Sequence, residues 1–207
     1  GVLAGLDLAR LAFTLVDSEI HFEALLKDGA RLEKGSRIAR ISGSARAILI
    51  AERTALNFLC HLSGIASVTA NIADSIAEWG CKVTCTRKTT PMLRAVEKYA
   101  VRVGGGQNHR FGLDDAILIK DNHIAIAGSL STAVERAREG IGHLVKIEVE
   151  VDTLEQVDEA LSIGVDVILL DNMSLEELAE AVRRIDGRAI SEASGGVTPE
   201  TAVAIAQ

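Results

Sequence analysis

The sequence predicts an α/β protein, a small β-rich region followed by a parallel sheet with interleaved helices, curled toward a barrel. Short apolar runs broken by turn signals fill residues 1–50. From Cys81 onward, strand-like and helix-like segments take turns. Polar residues gather at the carboxyl ends of successive candidate strands, the rim where a β/α barrel assembles its chemistry.

In chain order, Lys27-Asp28-Gly29, Glu33-Lys34-Gly35-Ser36 and Ser42-Gly43-Ser44 mark turns, and Arg37–Ile41 alternates as a strand does. Over residues 46–78, Ile50, Leu56, Leu59 and Leu62, then Ile65, Val68, Ile72 and Ile76, recur at helical spacing. Ser63-Gly64 predicts a break between two helices. Strands are expected at Cys81–Thr86, Ala116–Lys120, Leu144–Val151, Val165–Asp171 and Ala189–Glu192. Thr90-Pro91 and Thr198-Pro199 each place Thr at a helix cap with Pro in the first turn. Thr153 with Gln156, and Ser174 with Glu177, are capping boxes.

The 207 residues are 48% hydrophobic, 25% charged and only 3% aromatic, so the core falls to Ala, Val, Ile and Leu. No stretch reads as the ~20 apolar residues of a membrane span, and no signal peptide is evident. The cysteines, Cys60, Cys81 and Cys85, make no metal spacing and read as reduced thiols of a cytoplasmic protein. Cys81 and Cys85 would share one face of the first expected strand. The histidines show no zinc-ligand spacing.

Charge is unevenly spread. From Lys82 to Lys120 there are eight Lys/Arg against three acids, a surplus of five in a chain of net charge -7. Concentrated positive charge around a glycine-rich turn suits a small polyanion. It does not make the broad basic face that nucleic acid requires.

Several groups carry chemistry, each with a plainer alternative. Arg87-Lys88, between a strand and a helix start, is an anion site or a solvated loop pair. Gly104-Gly105-Gly106 lets backbone approach a ligand closely, or is only a turn. It is not GxGxxG, since position 109 is His, so a dinucleotide site is unsupported. Lys120 closes an apolar run and needs a carboxylate or phosphate partner unless it snorkels outward. Glu150 and Asp171, ending successive strands, suit Mg²⁺, ribose hydroxyls or a developing positive charge, or pair with nearby cations. Ser194-Gly195-Gly196, before a capped helix, suits a phosphate or is an ordinary turn.

The runs AERTALNFLCHLSGIA (51–66), TRKTTPMLRAVEKYAVRVGGGQNHRFGL (86–113), LIKDNH (118–123), EVEVDTLEQVDEAL (148–161), ILLDNMSLEEL (168–178) and EASGGVT (192–198) resemble the quinolinate phosphoribosyltransferase family along nearly the whole chain. The resemblance implies an incomplete α/β barrel preceded by a β-rich α/β sandwich domain. Residues 1–61 would belong to the sandwich, and 62–207 to the catalytic barrel lacking its last strand. It implies transfer of phosphoribosyl from 5-phosphoribosyl-1-pyrophosphate to quinolinate with decarboxylation. The products would be nicotinate mononucleotide, pyrophosphate and CO₂, with Mg²⁺ as cofactor, in de novo NAD biosynthesis.

The resemblance assigns Arg53, Arg87, His109, Arg110 and Lys120 to quinolinate, Arg53 coming from the neighbouring subunit of a homodimer with a shared active site. It assigns Lys88, Glu150, Asp171, Ser194 and Gly195 to phosphoribosyl pyrophosphate. Glu150 and Asp171 would be metal ligands and, with Lys120, catalytic. No membrane or nucleic-acid partner is implied. Cys85 stands where many relatives have Asp, and Met92 where Gly is usual. The family has a helical segment before the position of Gly1, and a final strand and GALTH-like phosphate turn after that of Gln207. The chain is therefore expected to be a portion of a longer protein. The rival expectations are a related phosphoribosyltransferase with another acceptor, and a barrel that binds a phosphorylated metabolite without turnover.

Overall fold

A computed structural model describes residues Gly1–Gln207. The chain forms two compact units, Gly1–His109 and Arg110–Gln207.

The first unit contains helix α1 (Leu6–Val16), the antiparallel pair β1 (His21–Ala24) and β2 (Ala39–Ser42), and helices α2 (Ala45–Ser75) and α3 (Arg94–Val103). α2 is one uninterrupted helix of 31 residues, not two helices parted at Ser63-Gly64. The hydroxyl that resembled a turn signal has another use. Ser63 Oγ accepts from the Ala4 amide at 3.0 Å, and Ser67 Oγ accepts from the Val2 amide at 2.8 Å, so both dock the N-terminal segment. Gly64 sits in open space. Its cost of about 1 kcal/mol against Ala is one that tertiary packing can override.

The buried face of α2 also differs from expectation. It consists of Ala47, Ala51, Ala55, Leu62, Ala66, Thr69 and Ala70, whereas Ile50, Leu56 and Val68 are exposed. The small side chains serve two core clusters, one with Ala9 and Phe13 of α1 and one with Ala100 of α3. An 18-residue window of α2 has a mean hydropathy of 1.2, so by length and composition this helix could cross a bilayer, contrary to the sequence expectation. A core helix meets the same criterion, and the alanine face of α2 is packed as one.

Cys81–Thr86 does not form the expected strand. Thr84 makes a single parallel bridge to Gln107, so Cys81 and Cys85 do not share a strand face. Nor does α3 begin at Thr90-Pro91. Leu93 N bonds Thr90 O at 3.0 Å in a turn, and Met92 at φ 69 breaks the helical path before Arg94.

The second unit is built on the parallel strands β3 (Ile117–Ile119), β4 (Ile147–Val151), β5 (Val167–Asp171) and β6 (Ile190–Ser194), hydrogen-bonded in that order. The sheet is open rather than closed. Between and after the strands run α4 (Asp121–Ala127), α5 (Leu130–Gly140), α6 (Leu154–Ile163), α7 (Leu175–Ile185) and α8 (Ala202–Ala206). The buried core joins Ile119, Val149, Val151, Ile168 and Leu170 of the strands to Val134, Val157, Ala181 and Ile185 of the helices.

Both expected capping boxes form, at Thr153/Gln156 and Ser174/Glu177, and Ser129 Oγ caps α5 through the Thr132 amide at 3.1 Å. α8 starts later than Thr198-Pro199 suggests. Thr198 and Thr201 first close a hydrogen-bonded turn, Thr198 N to Thr201 Oγ1 being 2.8 Å.

Candidate active site

In the second unit, β3 and β5 stay apolar until their carboxyl ends and then turn polar, whereas β4 and β6 carry Glu148 and Glu192 within the strand as well. Lys120 follows β3, Glu150 is the penultimate residue of β4, and Asp171 and Ser194 end β5 and β6. The register pairs Glu150 with Leu169, and Asp171 with Ser194, which sets all four near one rim of the sheet. Lys120 Nζ forms an ion pair with Glu150 Oε2, the Lys120 side chain being 42% exposed and the Glu150 side chain 18%. Asp171 is half-buried, and its Oδ2 accepts from Asn172 Nδ2 at 2.7 Å.

The turn beyond β5 is tightly fixed. Asn172 adopts φ 54, its amide bonds Ser194 O at 3.0 Å, and Gly195 at φ 86 lies where a Cβ would come within 2.2 Å of Asn172 Oδ1. Glycine is required there on two counts, the left-handed φ and the close approach of Asn172, whose backbone N would also lie 2.9 Å from the added Cβ. The sequence could not show this, because Asn172 and Gly195 are far apart in it.

Glu148 is a buried member of β4, and its carboxylate lies within 4.8 Å of that of Glu192. The sequence places both among the polar residues at the carboxyl ends of their strands, with no role of their own. Arg110, the first residue of this unit, is half-buried. His123 has a local task, accepting the Lys120 amide through Nδ1 at 2.9 Å at the start of α4.

In the first unit, Arg87 is half-buried and its Nε is shut off from solvent with no acceptor. A buried donor left unmade costs about 1–3 kcal/mol, so this guanidinium is chemically incomplete as it stands. Its backbone is fixed by Thr89 N and Arg94 Nη2, which bond the Arg87 carbonyl at 2.9 and 3.4 Å. Lys88 is exposed, and His109 is half-buried. Arg53 projects from α2 with its side chain 82% exposed, 3.8 Å from Glu52.

The glycine run has a packing role. A Cβ on Gly104 would lie 2.4 Å from Ala66 O, and one on Gly106 would lie 2.8 Å from both Thr69 Cγ2 and Val101 Cγ1. These glycines let the chain pass against α2. Behind them, buried Glu97 accepts from Thr90 N at 3.0 Å and meets His61 Nε2 at 2.8 Å. Burial pushes its carboxyl up, but the hydrogen bonds from Thr90 and His61 outweigh this and hold it below the ordinary carboxylate range.

An open parallel sheet with a cation, two acids and a tight Ser-Gly turn along its carboxyl rim is the frame of an α/β enzyme that handles phosphorylated substrates. The sequence model described as quinolinate phosphoribosyl transferase, N-terminal domain, matches residues 1–63, and the C-terminal domain model matches residues 65–207. The nicotinate-nucleotide pyrophosphorylase [carboxylating] of Mycobacterium leprae is 46% identical over 207 residues, an alignment covering 98% of this chain and 72% of that protein. The structure of nicotinate-nucleotide pyrophosphorylase from Francisella tularensis superposes with a TM-score of 0.96 at 40% identity, covering 99% of this chain and 73% of that one. NadC from Streptococcus pyogenes gives a TM-score of 0.94 at 51% identity, covering 98% and 72%. The chain belongs to the quinolinate phosphoribosyltransferase family, and its fold is that family's sandwich followed by an incomplete α/β barrel.

Proposed function

We propose that this protein transfers phosphoribosyl from 5-phosphoribosyl-1-pyrophosphate to quinolinate with decarboxylation, giving nicotinate mononucleotide, pyrophosphate and CO₂. The family membership supports the reaction. The observation that carries the site is the buried, unsatisfied Nε of Arg87. Quinolinate bears two adjacent carboxylates, and planar guanidinium groups match them better than ammonium does. In this reading Arg87, His109, Arg110 and Lys120 bind the dicarboxylate. Lys88 faces the phosphoribosyl group, and Ser194 with Gly195 takes the 5-phosphate.

Glu150 and Asp171 fit Mg²⁺ by donor chemistry, since both offer hard carboxylate oxygens at neighbouring strand ends. When bound, the cation would neutralise charge on departing pyrophosphate. The two acids also steady positive charge on C1 of the ribose as the pyridine nitrogen bonds to it and the C1–oxygen bond breaks. The C2–carboxylate bond then breaks. Its electron pair stays on the pyridinium ring, which takes a proton, and CO₂ departs. Lys120 holds the substrate while this proceeds. Orientation and electrostatics supply most of the rate, and no general base is required.

Residues 1–61 act as the sandwich domain and 62–207 as the catalytic domain of a cytoplasmic homodimer. Its three free cysteines suit a reducing compartment. On α2, Leu49 at 66% exposure and Leu56 at 44% flank exposed Arg53 at helical spacing. A second copy covering this strip would receive Arg53 into its own site.

Release of CO₂ from carboxyl-labelled quinolinate, dependent on phosphoribosyl pyrophosphate and Mg²⁺, tests the reaction. No release from the folded dimer sinks the assignment. Mixing Arg53→Ala with Arg87→Ala protein should restore part of the activity through hybrid dimers. No rescue, with exchange confirmed, rules out the shared site.

A further inference from the structure

Lys98 lies on α3 at 2% exposure, and the chemistry above gives it no part. Its Nζ donates to Cys85 Sγ at 3.0 Å and to the His109 carbonyl at 2.9 Å. Burying a lysine ammonium is costly unless its donors are used, so these two bonds bear on why the residue is tolerated there.

The two acceptors sit on different segments. One leads directly into Arg87, and the other contains His109. The segments meet in a short ladder, Gln107 N to Val83 O at 2.8 Å and Cys85 N to Gln107 O at 3.1 Å. Beyond Cys85 this ladder ends. Past it, Cys85 Sγ donates to Asn108 Oδ1 at 3.5 Å. The Lys98 ammonium bridges them where backbone pairing stops.

We propose that Lys98 is a positioning residue for quinolinate: it clamps the Arg87 segment to the His109 segment so that both side chains reach the dicarboxylate in fixed register. The role rests on the assignment of Arg87 and His109 to quinolinate. It is selective between the two substrates. Lys88, on the phosphoribosyl side, has its amide held within its own turn by Thr86 Oγ1 at 3.0 Å. The other residues assigned to phosphoribosyl pyrophosphate, Glu150, Asp171, Ser194 and Gly195, belong to the second unit, whereas both acceptors of the clamp belong to the first.

The test is steady-state kinetics on the full chain with each substrate varied in turn. Lys98→Met keeps the buried stem and removes the ammonium. Small misplacements of binding groups cost rates and affinities by one to two orders of magnitude, so KM for quinolinate should rise roughly tenfold or more. KM for phosphoribosyl pyrophosphate should stay within about twofold. Cys85→Ala removes one acceptor only and should raise the quinolinate KM in the same direction by about threefold. Added to Lys98→Met, it should have little further effect.

Parallel rises in both KM values, or no change in a folded variant, overturn the clamp. If Lys98→Met does not fold, Cys85→Ala decides by the same criterion. A parent protein with no quinolinate turnover overturns the underlying reading and this role with it. A parent with turnover isolates the clamp.

Discussion

Met92 offers a direct measurement of backbone strain. It adopts φ 69 in the turn before α3, and its side chain is 99% exposed. A left-handed conformation costs an L-residue about 1–2 kcal/mol because Cβ crowds the following carbonyl. Glycine removes that clash but loses more backbone entropy on folding, about 0.5–1 kcal/mol. Nothing else is at stake, since a fully exposed side chain gives up no burial. Met92→Gly should therefore stabilise the protein by about 0.5–1 kcal/mol. For a chain of this length that is a rise in Tm of about 1–4 °C. Met92→Ala is the control, because it keeps Cβ and should gain nothing. Thermal and urea unfolding of the three proteins read the difference. An Ala variant stabilised as much as the Gly variant, or a Gly variant less stable than the parent, refutes the strain argument.

Two further outcomes are expected. Tyr99 is the chain's single tyrosine, and burial, with the hydrogen bond to Asp28 at 2.7 Å, pushes its phenol up to about 12. Its contribution to stability is full below the ordinary value of 10.0 and is lost as pH rises through about 12. Phenolate absorbance of the folded protein should show that late midpoint, and Asp28→Asn should bring it closer to 10.0; a midpoint already at 10.0 in the parent refutes the coupling. Gly104 has φ -75, so its requirement is steric alone. Gly104→Ala should cost about 1–3 kcal/mol or more by wedging α3 from α2. Gly64→Ala, in open space, should be neutral or stabilising. Equal effects in chemical denaturation contradict the packing account.

The features legible in the sequence were those written within a few residues. The capping boxes at Thr153 and Ser174 are complete within four positions, and Lys120 and Asp171 follow directly after apolar runs. What escaped was set by distant partners. α2 reads as two helices with branched residues inside, because Ser63 is a turn signal until Ala4 is known to bind it. The alanine face is invisible to a hydrophobic count, since its value lies in close approach rather than in area. The same holds for the site. Lys120 at the end of β3 could be singled out, and Glu150 is its partner. Gly104 and Gly106 looked like a ligand-approach loop, but their neighbours are Ala66, Thr69 and Val101. Lys98 was only one cation among eight until its acceptors were placed.

The uninterrupted course of α2 also bears on how such chains can be recombined. The two family descriptions meet between residues 63 and 65, at the middle of a rod about 46 Å long. No linker exists there for a protease to find or for a crossover to exploit. A chimera joined at that seam would have to inherit a helix whose halves come from different parents, with the Ser63 and Ser67 dock on one side of the seam or astride it. Exchange among relatives should therefore succeed more often when the breakpoint moves to the turn at Ser42–Ser44, leaving the whole rod with the barrel.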